Sequence, residues 1–162
     1  MKSLIIIPSR LNSTRLPEKP LILIKGKSLI NRVYHQVKKC KNKIDILIAT
    51  DNKKIVDHVK SFNGEVVLTK KKHVSGTDRC YEAVQSLNKK YDLIINVQGD
   101  EPIINPKIID EVNVNKFSLN ICYDKAIEDN LLWGINNSGK WLHIGTKKAL
   151  SEAIEWLSLI HI

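Results

Sequence analysis

The chain has 162 residues, of which 43% are hydrophobic and 27% are charged, and this balance is typical of a soluble globular domain. No apolar run approaches the ~20 residues that span a bilayer, and no small-residue cleavage site follows the first apolar run, so we expect neither a membrane protein nor a secretory signal. The net charge of +9 comes almost entirely from lysine, which favours a solvated surface over nucleic-acid binding, and three widely spaced cysteines indicate free thiols in a reducing cytoplasm.

Strand-like and helix-like segments alternate along the first two thirds of the chain. The apolar run over 4–7 predicts a strand buried on both faces, and residues 21–24 predict a short extended piece. Apolar residues at helical spacing predict a helix over 28–40, and a second strand follows over 44–50. The later elements are expected as a helix capped by Asp51 and ended by Gly64, a strand over 65–69, a helix from the Ser75 to Asp78 capping box to about Leu87, a strand over 92–98, and a helix that Asn105 caps before Pro106.

This alternation predicts an α/β fold with three layers, a Rossmann-like, mostly parallel sheet and right-handed crossovers. In such sheets the ligand lies outside the carboxyl ends of the strands. The alternation stops after residue 111, where we predict a helix over 117–127, an extended piece over 131–136 and a helix over 147–157. We therefore divide the chain into a nucleotide-binding domain over 1–112 and an atypical C-terminal segment over 113–162.

The loop over 8–20, which follows the first strand, carries three cations beside two hydroxyl groups. Arg10 and Arg15 can bind phosphate oxygens bidentately, while Lys19 is a point charge. The hydroxyls of Ser13 and Thr14 can complete the cradle, and three prolines stiffen it. The loop suits a nucleoside triphosphate, although a solvated basic loop is the structural alternative.

The segment Gln98-Gly-Asp-Glu-Pro102 follows the predicted strand over 92–98 and supplies carboxylates. Mg²⁺ prefers one or two carboxylates together with phosphate oxygens, so Asp100 is the candidate metal ligand. Gly99 would let the backbone approach a ligand closely. The structural alternative is a turn whose aspartate accepts backbone hydrogen bonds.

A third motif, His73-Val-Ser-Gly-Thr-Asp-Arg79, opens a predicted helix. Ser75, Thr77 and the helix start offer donors to an anion or a base edge. Arg79 lies in the first turn, against the usual dipole preference, which hints at a task; a surface ion pair with Asp78 or Glu82 is the alternative. His73 is expected to be a surface or hydrogen-bonding histidine.

The three motifs, in this order and spacing, resemble those of 3-deoxy-manno-octulosonate cytidylyltransferases, the CMP-Kdo synthetases. The resemblance covers about residues 1–112 and implies transfer of CMP from CTP to 3-deoxy-D-manno-octulosonate (Kdo), with release of pyrophosphate, for lipopolysaccharide synthesis. It implies Mg²⁺ as the cofactor, a cytoplasmic enzyme and a homodimer. It implies that Arg10, Arg15, Lys19 and Asp100 are catalytic, with Asp100 also holding the metal, that Pro8, Ser13, Ser75, Thr77 and Arg79 bind the nucleotide, and that Gln98 binds the sugar.

The chain also departs from this family. Glu18 stands where the family usually has glycine, and the long second half of the family is not recognisable. Residues 117–156 instead resemble the C-terminal end of a sugar-1-phosphate nucleotidyltransferase, of the N-acetylmuramate-1-phosphate uridylyltransferase type. The last six residues resemble a translated sequencing adapter, which predicts a truncated or chimeric reading frame. Another sugar nucleotidyltransferase, an inactive CTP-binding fragment and a basic nucleic-acid-binding protein therefore stay open as alternatives.

Overall fold

The computed structural model describes residues 2–13, 15–70, 73, 75–110, 112, 144 and 146–159. In this part of the chain, no helix is both long enough and apolar enough to cross a membrane. The strands are β1 (Ser3–Ser9), β2 (Leu23–Ile24), β3 (Lys27–Ser28), β4 (Asp45–Thr50), β5 (Val66–Leu68) and β6 (Leu93–Asn96). The helices are α1 (Leu29–Val37), α2 (Lys53–Ser61), α3 (Gly76–Gln85), α4 (Pro106–Asp110) and α5 (Lys147–Leu159), with a 3₁₀ turn over Lys19–Leu21.

Four strands form one sheet in the order β5-β4-β1-β6, and every described pairing in it is parallel. Strand β1 is central, because it pairs with β4 on one side and with β6 on the other. Strands β2 and β3 form a separate antiparallel hairpin around Gly26, whose φ of 74° needs a residue without a Cβ. The hairpin replaces the single extended piece expected over 21–24.

The core lies on both faces of the sheet because side chains alternate along β1. Ile5 and Ile7 pack with α1 and α2, while Leu4 and Ile6 pack with α3 on the opposite face. All four side chains are at most 2% exposed, and burial of each such side chain contributes about 1.5–3 kcal/mol. The predicted α/β fold with three layers and a parallel sheet is confirmed.

The helix caps agree with the sequence at two positions and correct it at one. The Ser75 hydroxyl and the Asp78 carboxylate form the predicted capping box of α3, and the Asn105 carbonyl accepts from the Lys107 amide at 3.1 Å. The prediction that Asp51 caps α2 is wrong, because Asn52 accepts from the Lys54 amide at 2.9 Å. The Asp51 carboxylate is engaged elsewhere, as described below.

The helix predicted over 147–157 is confirmed as α5. Ile144 and Ala153 are fully buried in the same hydrophobic cluster as β1, α1 and α2. The segments predicted over 117–127 and 131–136 lie outside the described residues, as do the last three residues. The boundary near residue 112 and the truncated or chimeric reading frame therefore stay predictions.

Candidate active site

A cleft opens at the carboxyl ends of β1 and β6, beside the first turn of α3. Its walls come from the loop after β1, the turn after β6 and the start of α3, so three segments that are distant in sequence meet there. This is the edge of a parallel sheet at which ligands bind. The cleft is lined by Pro8, Ser9, Arg10, Ser13, Lys19, Pro20, His73, Ser75, Gly76, Arg79, Gln98, Gly99 and Asp100.

The two predicted chemical motifs meet through Lys19 and Asp100. The Lys19 Nζ lies 2.6 Å from the Asp100 Oδ2, although the two residues are 81 positions apart in the chain. Their side chains are only 20% and 13% exposed. The expected convergence of a cationic loop and an acidic turn is thus present, and it takes the form of a direct ion pair.

The loop reaches Asp100 because its backbone bends sharply before Lys19. Glu18 has a φ of 51°, in the left-handed region, and the 3₁₀ turn Lys19–Leu21 begins directly after it. Glycine adopts this conformation without steric cost, which explains why the family has glycine here. The Glu18 carboxylate contacts the Lys54 Nζ at 2.9 Å on the exposed surface and is not among the cleft residues. It therefore does not stand between the candidate phosphate-binding cations.

Two glycines let the backbone segments close around Pro8. A Cβ on Gly99 would lie 2.9 Å from the Pro8 carbonyl oxygen, and a Cβ on Gly76 would lie 3.3 Å from the Pro8 ring. Contacts under 3.0 Å are essentially absent for real Cβ atoms, so Gly99 requires its missing side chain. The expected close approach at Gly99 is made by the backbone of β1.

Arg79 is buried, at 3% exposure, and its guanidinium is held by groups of the protein. Its Nη2 donates to the Asp51 Oδ2 at 3.0 Å, and its Nη1 donates to the Thr69 hydroxyl and to the Lys70 carbonyl. The alternative of an ion pair with Asp78 or Glu82 is wrong as to the partner. Arg79 lines the cleft, and its predicted contact with nucleotide stays a prediction.

His73 is a hydrogen-bonding histidine, as expected. Its Nε2 is bonded to the Glu82 carboxylate, which also accepts from the Lys70 amide at 3.1 Å. The bond with His73 is the main cause that lowers the pKa of Glu82. This pair braces the start of α3 against the chain that follows β5.

Two predicted site residues lie away from the cleft walls. Arg15 is exposed and is not among the lining residues. Thr77 lines a neighbouring apolar depression, which Tyr81 and Ile94 also border. The other described candidates, Pro8, Arg10, Ser13, Lys19, Ser75, Arg79, Gln98 and Asp100, all line the cleft, while Thr14 lies outside the described residues.

Sequence reasoning missed several groups that shape the site. Asp51 and Thr69 hold Arg79, and no sequence signal links them to it. Burial, and then the neighbouring Asp100, raises the pKa of Glu101 to about 7; the adjacency of the two acids was the available signal. The Ser9 hydroxyl is buried and has no hydrogen-bond partner among the residues that the structure describes.

The described residues contain no group of three or more histidine, cysteine, aspartate or glutamate side chains that could hold a metal ion. Asp100 supplies one carboxylate, with Glu101 beside it in the chain. Because Mg²⁺ is commonly bound through one or two carboxylates and substrate phosphates, this donor set fits a metal that a nucleotide helps to hold.

A family profile described as Cytidylyltransferase matches residues 4–119. The chain belongs to the cytidylyltransferase family. Similar curated relatives named 3-deoxy-manno-octulosonate cytidylyltransferase include one from Cytophaga hutchinsonii, 55% identical over 104 residues that make up 64% of this chain and 42% of the relative. Another, from Francisella tularensis subsp. holarctica, is 57% identical over 102 residues, which make up 62% of this chain and 40% of the relative.

Solved structures of cytidylyltransferases are similar as well. A CMP:2-keto-3-deoxy-manno-octonic acid synthetase complexed with CTP superposes with a TM-score of 0.64 at 33% identity, covering 80% of this chain and 49% of that one. A cytidylyltransferase from Leptospira borgpetersenii has a TM-score of 0.78 at 17% identity over 100% of this chain and 89% of its own, which shows the shared fold. The predicted family resemblance is confirmed, and the chain spans less than half the length of these curated cytidylyltransferase relatives.

Proposed function

We propose that this chain carries the nucleotide-binding part of a cytidylyltransferase that transfers CMP from CTP to Kdo and releases pyrophosphate. The contact of Lys19 with Asp100 inside the cleft is the observation that carries the proposal, because it joins the candidate phosphate-binding and metal-binding groups. Relatives named for this activity are 46–57% identical, which supports CTP and Kdo as the substrates.

The cleft residues suggest how the substrates are held. Arg10, exposed at the cleft, and Lys19 would bind the triphosphate, with hydroxyls from Ser13 and Ser75 completing its hydrogen bonds. Arg15, exposed beside the cleft, would add charge at its rim. The remaining assignments place Pro8, Thr77 and Arg79 at the nucleotide and Gln98 at the sugar.

Mg²⁺ would bind at Asp100 and, when bound, supplies charge neutralisation at the α-phosphate. The reaction forms a bond between the anomeric 2-hydroxyl oxygen of Kdo and the α-phosphorus, and it breaks the bond to the departing pyrophosphate. The described residues contribute by positioning the triphosphate and by electrostatic stabilisation, which dominate phosphoryl-type transfers.

Pyrophosphate release from CTP, Mg²⁺ and Kdo tests the activity directly. We expect release with the unaltered chain and a loss of at least about 100-fold in Asp100→Asn, which removes the proposed metal ligand. Asp57→Asn is the matched control, because Asp57 is an exposed carboxylate on α2. No release with any Kdo concentration, in a folded protein that binds CTP, would reject the proposed transfer to Kdo.

An inactive CTP-binding fragment is the second candidate function. It is favoured by the coverage, since the chain spans 40–45% of the curated relatives. Calorimetric binding of CTP without product would support it. A panel of nucleotides and sugars separates both from another sugar nucleotidyltransferase, and salt-dependent binding of DNA that Arg10→Ala does not change would indicate a nucleic-acid-binding protein instead. A role in lipopolysaccharide synthesis, a cytoplasmic location and a homodimer belong to the same proposal.

A further inference from the structure

We propose that Lys19 occupies Asp100 as a built-in counter-cation, and that it yields this carboxylate to a divalent metal only when the phosphates of CTP arrive. Metal and nucleotide would then enter the cleft together, and neither would bind well alone. This inference rests on the proposed function, because it requires CTP and a divalent metal to share the cleft.

The ion pair occupies the atom that a metal would need. The Lys19 Nζ lies 2.6 Å from the Asp100 Oδ2, and both side chains are largely shielded from water. Charges attract more strongly in such a place than on the surface, because little water screens them. An ammonium group and a divalent cation repel each other on one carboxylate, so the metal must displace the ammonium.

The surrounding donor set does not compensate for that displacement. Among the described residues, no cluster of three metal-binding side chains exists, so the protein offers the metal few ligands of its own. Mg²⁺ completes its octahedral shell with substrate phosphates and water in sites of this kind. Binding of the metal without nucleotide would therefore leave Lys19 displaced with no anion to receive it.

CTP removes this obstacle by offering a second anion. Lys19 lines the same cleft as Arg10 and Ser13, so its flexible stem lets the ammonium turn from Asp100 to a phosphate oxygen. The carboxylate is then released to the metal that the same phosphates help to hold. By linkage, each ligand raises the affinity for the other by the same factor, typically about 5- to 150-fold.

Removal of the Lys19 charge tests the exchange, measured as Mn²⁺ binding in the absence of nucleotide. We expect Lys19→Met to bind Mn²⁺ at least about tenfold more tightly than the unaltered chain, in calorimetry or electron paramagnetic resonance, because the competing ammonium is gone. Lys54→Met is the matched control: Lys54 is also paired with a carboxylate, that of Glu18 at 2.9 Å, but does not contact Asp100. Its Mn²⁺ affinity should stay unchanged.

Further variants keep the outcomes separate. Adding Asp100→Asn to Lys19→Met should abolish the gained Mn²⁺ binding. Lys19→Arg, which keeps the positive charge, should bind Mn²⁺ alone as weakly as the unaltered chain, and it serves if Lys19→Met does not fold. The exchange is overturned if Lys19→Met binds Mn²⁺ no more tightly, or if Lys19→Arg binds it as tightly as a neutral residue should allow.

The proposed function fails differently from the exchange. Equal Mn²⁺ affinities in the unaltered chain and Lys19→Met, together with Mn²⁺-dependent CTP binding that Asp100→Asn abolishes, would overturn the exchange and leave the proposed site intact. Mn²⁺-dependent CTP binding that survives Asp100→Asn would overturn both, since Asp100 would then hold no metal.

Discussion

The Arg79 guanidinium donates to the Asp51 carboxylate across 3.0 Å, and this ion pair joins the first turn of α3 to the end of β4. The two side chains are only 4% and 15% exposed. Because Arg79 also donates to Thr69, it ties the carboxyl ends of two neighbouring strands to one wall of the cleft. The pair therefore supports the shape of the site from below.

Loss of the Arg79 charge should destabilise the fold, because it leaves the Asp51 carboxylate shielded without its partner. We expect Arg79→Met to lower the free energy of unfolding by about 3 kcal/mol, as breaking a buried ion pair does. Urea denaturation of Arg79→Met, Asp51→Asn and the double variant measures the coupling. Strictly additive losses would show that the two groups do not interact.

Gly99→Ala should disturb the cleft more than its size suggests. The added Cβ would lie 2.9 Å from the Pro8 carbonyl oxygen, a backbone atom that cannot rotate away. We expect a loss of about 1–3 kcal/mol in the free energy of unfolding and weaker CTP binding, since the turn that carries Asp100 must move.

Gly26→Ala is the control for Gly99→Ala. Gly26 has a φ of 74° and no atom within 4 Å of its added Cβ, so only backbone strain of about 1 kcal/mol is expected. Its CTP affinity should stay unchanged, because the hairpin at Gly26 is not part of the cleft lining. Equal effects of the two substitutions on CTP binding would contradict the crowding at Pro8.

Glu18→Gly should make the protein more stable than Glu18→Ala does. Both variants remove the exposed contact with Lys54, which is worth little, but only glycine relieves the left-handed backbone at a φ of 51°. The expected difference in the free energy of unfolding is about 1 kcal/mol in favour of glycine. Chemical denaturation measures it, and an alanine variant as stable as the glycine variant would refute the strain at this residue.

The thiols of Cys40 and Cys80 should be unreactive in the native state. Burial raises the pKa of Cys40 to about 11 and that of Cys80 to about 12, from an ordinary value of 9.0. The thiolate, which is the reactive form, is therefore scarce at pH 8. In a Cys122→Ser background, alkylation should be slow in the folded protein and fast in denaturant; equal rates would contradict the burial.

The same shifts predict a loss of stability in alkaline solution. Above pH 9 the unfolded chain releases the two thiol protons, whereas the folded chain retains them until about pH 11 to 12. The contribution of these thiols is complete below pH 9 and declines as the pH rises from there. Unfolding free energies of Cys40→Ala and Cys80→Ala, compared at pH 8 and pH 10, should show a flatter pH dependence than the unaltered chain.

Local patterns predicted the frame of the fold, because each was decided within a few residues. The apolar run over 4–7 and the Ser75 capping box need no distant partner to be recognised. The cap of α2 was misassigned from Asp51 to Asn52, since the deciding interaction comes from Arg79, 28 residues away. Tertiary pairing removed the better-looking capping residue.

The site followed the same division. Strand ends and motif order predicted that Lys19 and Asp100 would share one edge of the sheet, and they do. The exposed position of Arg15 and the turn of Thr77 toward a separate depression depend on how the loop and helix are rotated, which spacing alone does not encode. The left-handed backbone at Glu18 was signalled only by the glycine that the family prefers there.

The central position of β1 makes the two walls of the cleft unequal in their dynamics. Leu4 to Ile6 are paired to strands on both sides, so their amide protons should exchange with solvent only when the whole molecule unfolds. The opposite wall hangs on a 3₁₀ turn and a single ammonium contact, and it can open at far smaller energetic expense. The cleft thus has a permanent side and an adjustable side, and substrates would enter by displacing only the second.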